Sequence, residues 1–327
     1  MPVYNGLPYL SEAISSILSQ TLDNFEFICI DDGSTDGSAE VISAVQDPRW
    51  RWVRNSRRSG LSKALNRGLR MARAVYWARM DADDVSLPRR LEAQAAFLDK
   101  NTDVSLVGVW AQTIGLPKEK IWRLPVLPEE IQAELLFNSP LMHSAVMLRR
   151  KDFVDRGLRY NPTVERAQDY DLWERAARQL HFANLPEVLL RYRIHAGQVG
   201  NAFGHQQAKT AALVRARQLR RLGLRTAKRD LDLHNEISVW RFETNSTFLR
   251  RTEAWLRGIE RANRHKKIYD DKALSVVLEQ RWWAACRSAA LFNEQAWALY
   301  KNSSLAQEGR RSLLDKTVFW LKTQWPH

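Results

Sequence analysis

Apolar and polar positions change period repeatedly over the first hundred residues. Between Leu7 and Gln20 the apolar side chains fall at Leu10, Ala13, Ile14, Ile17 and Leu18, the three-and-four spacing of an amphipathic helix. Phe25-Glu26-Phe27-Ile28-Cys29-Ile30 is a short apolar run halted by Asp31-Asp32-Gly33-Ser34, the pattern of a buried strand ending in a turn. Helical spacing returns over Ser38 to Gln46 and Leu61 to Ala72, with a strand pattern at Trp50-Arg51-Trp52-Val53 between them. Ala74 to Met80 predicts a strand that runs into Asp81-Ala82-Asp83-Asp84. Pro88 opens another helix through Leu98, since proline suits a first turn, and Val104 to Val109 predicts a further strand. Strands alternating with helices imply a parallel sheet covered on both faces.

Beyond residue 110 the rhythm loosens. Residues 115–140 are rich in proline, His143 to Arg149 and Leu185 to Ile194 predict strands, and Ala167 to Gln179 predicts a helix. From about Gln198 the spacing is helical throughout, with candidates at Gln206 to Leu222, Ser246 to Ala262, Ala273 to Ala290 and Ser312 to Trp325. A domain boundary is therefore expected near residue 196, with residues 1–195 forming an α/β domain and residues 196–327 a helical region.

Charge strengthens that division. The chain carries a formal net charge of +13, yet residues 196–327 hold 24 Lys/Arg against 12 Asp/Glu, and residues 1–195 are nearly balanced at 26 against 25. A basic tail suggests nucleic acid, an anionic membrane surface or an acidic polymer as partner. With 45% apolar and 27% charged residues, wholesale disorder is excluded. No apolar stretch is long enough for a transmembrane helix, and the N-terminus has no basic or apolar signal region. Cys29 and Cys286, far apart, suggest neither a disulfide framework nor a zinc site, so a cytoplasmic location is expected.

Chemistry concentrates at strand ends, where open parallel sheets bind ligands. Asp31-Asp32 and Asp81-Ala82-Asp83-Asp84 each follow a strand, and two acidic clusters on one sheet edge repel unless cations lie between them. Hard oxygen ligands suit Mg²⁺ or Mn²⁺ holding a diphosphate. The competing explanation is a pair of turns with helix caps, which is favoured for Asp36 but not for three carboxylates in four residues. Neither a Gly-x-Gly-x-x-Gly nor a Gly-x4-Gly-Lys-Ser/Thr loop is present, so the sheet is not patterned for dinucleotides or for phosphate-loop chemistry.

Seven segments, in order, resemble the family 2 glycosyltransferases of the GT-A fold. They are Pro2-Val3-Tyr4-Asn5-Gly6, Ile30 to Gly37, Gly60-Leu61 with Leu65-Asn66-Arg67-Gly68, Met80 to Asp84, His143 to Met147, Gln168 to Trp173 and Leu190 to His195. The resemblance covers about residues 1–200. It implies a Rossmann-like, mostly parallel central sheet with helices on both faces, followed here by the helical region. It also implies a nucleotide-sugar donor, UDP first among the nucleotides, and a glycan or lipid-linked acceptor in cell-surface polysaccharide synthesis. On this resemblance Pro2, Tyr4, Asp32 and Asn66 would contact the nucleotide. Asp81 would lie near the ribose, Asp83 on the metal, and Asp84 would share that duty. Asp169 would be the general base of an inverting displacement, with Asp171 its rival. His195 would be a further metal or diphosphate ligand, or else a surface histidine. His143 would be structural or near the acceptor, and Trp173 core. The resemblance further implies a central strand of about six apolar residues ahead of Pro2. The chain begins at Met1, so this strand is expected to be truncated and the chain less stable than a longer form.

The tail interleaves Trp with Arg, and its last segment places Leu314, Val318, Leu321 and Trp325 at helical spacing among Arg310, Arg311, Lys316 and Lys322. It suits either a peripheral anchor on an anionic membrane or helices packed on a core. Two other functions stand beside the glycosyltransferase. A nucleic-acid-binding protein would leave the acidic clusters unexplained, and no nucleic acid is expected as partner. A truncated, inactive relative acting as a binding partner is opposed by the intact Asp81, Asp83 and Asp169.

Overall fold

The computed structural model describes residues 1–195, 204–225, 227–307 and 312–324. The chain divides into two compact units, Met1–Ile131 with Ser139–Thr210, and Gln132–Asn138 with Ala211–His327.

In the first unit, β1 (Pro2–Val3), β2 (Phe27–Asp31) and β3 (Trp50–Arg54) form a parallel sheet in that order. A second sheet contains β4 (Tyr76–Ala78), β5 (Val85–Ser86), β6 (Val104–Ile114), β7 (Ile121–Trp122), β8 (Met147–Arg149) and β9 (His181–Arg193), in the order β4-β8-β6-β9-β5 with β7 on β6. Helices α1 (Leu10–Leu18), α2 (Ser38–Ser43), α3 (Leu61–Met71), α4 (Arg90–Lys100), α5 (Pro128–Glu134), α6 (Arg150–Asp155) and α7 (Gln168–Ala176) accompany them. The expectation of one mostly parallel sheet needs correcting. Only the first sheet is wholly parallel. In the second, β6 and β9 run parallel, whereas β4–β8, β6–β8, β5–β9 and β6–β7 are antiparallel. Strict strand–helix alternation already fails between β4 and β5, which follow one another without a helix, and β6 pairs directly with β7 as its antiparallel neighbour.

The apolar pattern is buried as it reads. Leu10, Ala13, Ile14 and Ile17 of α1 join Val3, Cys29, Leu98, Val107 and Val109 in one core. Two polar side chains of α4 are fully buried as well, because they serve strand-end carbonyls. Gln94 donates to Val107 O (3.0 Å) and Ala145 O (2.7 Å), and Arg90 donates to Arg79 O (2.9 Å), Ser144 O (3.2 Å) and Ser86 Oγ (2.7 Å). These bonds fix the backbone on both sides of the acidic loop.

The second unit holds α8 from its Ala211 onward (Gly204–Arg221), α9 (Lys228–Ser238), α10 (Ser246–Lys266), α11 (Asp271–Ala289), α12 (Ala296–Asn302) and α13 (Leu313–Gln324). Asn245 and Asp270 cap α10 and α11 by accepting from Phe248 N and Ala273 N, each at 2.8 Å. Trp282 and Trp283 are core, so these two Trp of the basic tail pack inward. Arg310, Arg311 and Trp325 of the expected last segment lie outside the described residues.

This division is not a single cut after residue 195. Gln132–Asn138 joins the helices, burying Ala133, Leu136 and Phe137 in their core. Its backbone is met atom by atom. Gln218 Nε2 donates to Leu135 O (2.7 Å), His234 Nε2 to Leu136 O (3.1 Å) and Arg215 Nε to Phe137 O (2.6 Å). Trp255 Nε1 donates to His234 Nδ1 at 3.1 Å, so the His234 proton sits on Nε2, and burial pushes its pKa down to about 3. Arg281, 1% exposed, pairs with Glu134. The run Ala133-Glu134-Leu135-Leu136-Phe137 looks like any short apolar stretch, and composition therefore does not reveal which core it joins.

Glu134→Ala leaves the Arg281 guanidinium buried without its partner and is expected to cost roughly 3–5 kcal/mol. Replacing both, Glu134→Leu with Arg281→Met, is expected to return stability to within about 1 kcal/mol of the parent. Urea unfolding followed by tryptophan fluorescence checks both, and a double variant as weak as the single one would contradict the pairing.

Candidate active site

The end of β2 carries the first acidic pair. Asp31 is fully buried and accepts from Ser34 N (2.9 Å), with Arg54 Nε 3.1 Å from its other oxygen. Asp32 accepts four bonds, from Asn55 Nδ2 (2.6 Å), Ser59 N (2.9 Å), Ser59 Oγ (2.6 Å) and Gly60 N (2.7 Å). Burial alone would raise its pKa, but these donors outweigh it and hold the carboxyl below its usual range. Gly33 makes the approach of this loop feasible. Its φ is +79°, and a Cβ there would come within 3.1 Å of the backbone of Arg57 and Arg58.

The second acidic group follows β4. Carboxylate oxygens of Asp81, Asp83 and Asp84 lie within 4.8 Å of one another. Arg79, 2% exposed, grips Asp81 through both nitrogens at 2.5 Å each. Asp84 is also buried, accepts from Arg193 N at 2.8 Å, and has an Oδ2 with no hydrogen-bond partner among the described residues. Burial, then the charges of Asp81 and Asp83, push its pKa up to about 8; burial and Asp81 also raise that of Asp83.

The end of β9 is sewn to this loop. His195 Nε2 lies 3.2 Å from Asp83 Oδ2, and Arg193 Nε donates to Asp83 O at 2.8 Å. Arg193 also reaches Glu12 Oε2 at 2.5 Å, and the Tyr9 ring is flanked by the Arg193 guanidinium (4.4 Å) and the His195 ring (4.9 Å). Antiparallel pairing of Val85 with Arg191 brings the two segments together.

Asp169 stands in the first turn of α7, after Ala167 in a left-handed conformation (φ 51°). Burial raises its pKa, and the opposing charge of Arg79 acts on it. Asp171, its rival, is buried and paired with Arg175 Nε at 3.0 Å one turn along, a bond that holds the helix. His143 Nε2 meets Tyr160 OH at 2.9 Å, and burial together with Arg79 holds it neutral; Trp173 is core.

The structure thus brings Asp81, Asp83, Asp84 and His195 together, with Arg79 acting on both Asp81 and Asp169. Tyr4 is 40% exposed beneath the Arg58 guanidinium at 4.1 Å, and Pro2 pairs in register with Ile30. Asn66 takes a different task. Its amide donates to Tyr160 O (2.8 Å) and accepts from Tyr160 N (3.1 Å), clamping that backbone. Arg79, Arg193, Tyr9 and Glu12 were not singled out by the sequence reading. Arg79 carried a signal, a lone charge inside the apolar run Ala74 to Met80.

Residues 1–158 match the model of Glycosyl transferase family 2. An uncharacterized glycosyltransferase of Haemophilus influenzae is 31% identical over 253 residues, spanning 72% of this chain and 76% of that one. The putative glycosyltransferase EpsE of Bacillus subtilis is 36% identical over 202 residues (59% and 71%). The amylovoran biosynthesis glycosyltransferase AmsE of Erwinia amylovora is 30% identical over 213 residues (62% and 76%). Among solved structures, residues 1–349 of S. aureus TarS in complex with UDP-GlcNAc superpose with a TM-score of 0.57 at 16% identity, covering 86% of this chain and 85% of that one. The chain spans 51% of the longer TarS chain. The mannosyltransferase PcManGT from Pyrobaculum calidifontis, in complex with GDP-Man and Mn2+, gives 0.53 at 17% identity, covering 99% and 84%. At these identities the likeness concerns the fold alone, and the fold is GT-A.

Asp84 supplies a pH dependence with a definite sign. Its folded pKa is raised, so its contribution is fully present below the unfolded value of 3.8 and is lost as pH rises through about 8. Without divalent cation, the melting temperature is expected to fall across that window, and to fall less in Asp84→Asn. Parallel melting curves of the two proteins would contradict this.

Proposed function

Because the chain belongs to the family 2 glycosyltransferases, we propose that it transfers a sugar from a nucleoside-diphosphate donor to a hydroxyl of a glycan or lipid-linked glycan, with inversion at the anomeric carbon. The observation that carries this reading is the close set of Asp81, Asp83, Asp84 and His195. A buried carboxylate oxygen without a hydrogen-bond donor, beside two further carboxylates, suits a hard divalent cation. Asp83 and Asp84 would hold Mg²⁺ or Mn²⁺, with His195 at the rim and Asp81 shared with Arg79. When bound, the ion offsets negative charge on the diphosphate.

This chain's own residues do the rest. The Asp169 carboxylate takes the acceptor's hydroxyl proton as that oxygen bonds to the anomeric carbon. The bond from that carbon to the diphosphate oxygen breaks, and its electron pair leaves with the nucleoside diphosphate. A raised pKa makes Asp169 the stronger base. Arg79 holds Asp81 at the orientation that the donor meets and keeps a positive charge near Asp169. Tyr4 and Asp32, with the loop that Asp32 anchors, would receive the nucleotide, and Pro2 would border it. UDP is the first nucleotide to test, since TarS was solved with UDP-GlcNAc, and the GDP-Man complex of PcManGT makes GDP the second. The relative AmsE, a glycosyltransferase of amylovoran biosynthesis, favours an acceptor in polysaccharide synthesis. The basic residues 196–327 suit a site of action beside anionic lipid.

A thermal-shift screen of UDP- and GDP-sugars with and without Mn²⁺ tests the reading. A donor is expected to raise the melting temperature only with the metal, because a ligand of the folded state stabilises it. Asp83→Ala is expected to abolish that shift. Asp169→Asn is expected to keep the shift and to lower kcat by roughly 10²–10⁴-fold. Full transfer by Asp169→Asn, or a product of retained configuration, would overturn the assignment of the base.

A further inference from the structure

The loop between β3 and α3 is fixed at its backbone and loose at one side chain. Asn55 Nδ2 bridges Asp32 Oδ1 (2.6 Å) and Ser59 Oγ (3.1 Å), and Arg67 Nη1 donates to the Asn55 side-chain oxygen. Asp32 also accepts from Ser59 N (2.9 Å) and Gly60 N (2.7 Å). The backbone of Arg57 and Arg58 packs so closely on Gly33 that a Cβ there would stand 3.1 Å away. From this anchored backbone the exposed Arg58 side chain reaches over Tyr4, with its guanidinium 4.1 Å from the ring centroid. Among the described residues no carboxylate pairs with that guanidinium. Burial, then the charge of Arg58, lowers the pKa of Arg166, so the two like charges repel. Contact between a cation and an exposed aromatic ring is weak. The hold of Arg58 on Tyr4 is therefore readily exchanged for a hold on another flat ring.

We propose that Arg58 is a movable cover for the donor's nucleobase, which enters between the Tyr4 ring and the guanidinium to form a stack of three layers. The inference rests on the reading that Tyr4 and Asp32 receive the nucleotide, and it supplies the contact to the second face of the base. The guanidinium stands one stacked layer from Tyr4, and admitting a base requires it to retreat by the thickness of a ring, about 3.5 Å. The long arginine stem allows that movement while the bonds to Asp32 hold the backbone still. A guanidinium is planar and stacks on aromatic faces, which a compact ammonium does not. Its contact is with the Tyr4 ring and not with the acidic loop, which assigns it to the base end of the donor rather than to the diphosphate. Every base has such a face, so the cover contributes affinity for a base without choosing among bases.

Titration calorimetry of the full chain with Mn²⁺ tests it, comparing UDP (or GDP, where the parent binds only that) with inorganic pyrophosphate, which lacks a base. Arg58→Ala is expected to weaken the nucleotide roughly 5- to 150-fold and to leave pyrophosphate within about twofold of the parent. Arg58→Lys keeps the charge without the plane and is expected to recover only a minor part of the loss. Neither variant is expected to shift the melting temperature of the unliganded chain, because the side chain is exposed. Equal losses for nucleotide and pyrophosphate, or full recovery by Arg58→Lys, would put the guanidinium on the phosphates and overturn the proposal. So would a gain in nucleotide affinity in Arg58→Ala, since the guanidinium would then only compete for Tyr4. Nucleotide binding that Arg58→Ala leaves intact ends this inference alone, whereas a parent protein that binds neither UDP nor GDP ends the donor reading and this inference together.

Discussion

A buried guanidinium stands behind the acidic loop, and the site depends on it. Two like charges 4.8 Å apart repel by on the order of 3 kcal/mol at the effective dielectric of a protein surface, and this loop gathers three carboxylates within that distance. Arg79 answers the repulsion from beneath. It donates to both oxygens of Asp81, its charge acts on Asp169, and the same charge helps to keep His143 neutral. Arg90 occupies the next layer inward and is bonded to the carbonyl of Arg79 itself. The strand that ends in acid is therefore backed by base. Asp84 is thus buried beside two guanidinium groups, while its Oδ2 has no hydrogen-bond donor among the described residues.

Distance along the chain matters little to this arrangement, because long strands carry it. The thirteen residues of β9 run parallel to the eleven of β6, from Val104 opposite His181 to Ile114 opposite Arg193, with register shifts after Val104, Val109 and Trp110. The strand thereby delivers Arg193 and His195 to a loop more than a hundred residues earlier. A one-residue slip would turn alternate side chains to the other face and take His195 from Asp83. The helical unit solves a related problem by other means. It needs a peptide from the middle of the chain, and it accepts that peptide's carbonyls one at a time with Gln218, His234 and Arg215.

Much of the site was legible in the sequence because its parts are local. An apolar run, then Asp-Ala-Asp-Asp, shows both the strand and the acid that follows it, and the order of the seven segments points to the family. Arg79 was harder to read, since a charge in a strand is informative only once its partner's position is known. Asn66 illustrates the converse. Its place in a motif suggested a ligand, whereas its amide clamps Tyr160, a contact ninety-four residues away that periodicity does not encode. The mixed sheet escaped for a similar reason: the antiparallel pairs β4–β8 and β5–β9 join segments far apart in the chain, and apolar runs look alike in either direction. The segment Gln132–Asn138 was invisible because burial by helices that come much later leaves no local mark.

That segment bears on how the protein is made. Leu136 and Phe137 leave the ribosome well before Trp282, with which they share a core. At roughly 5–20 residues per second, an apolar stretch waits on the order of ten seconds or more for the helices that will cover it. During that interval the surrounding α/β unit can begin to fold while this short peptide is held open. The biosynthetic cost of building the second unit around a piece of the first is thus a timed exposure, during which a chaperone or a neighbouring nascent chain competes with α8 to α11 for the same few side chains.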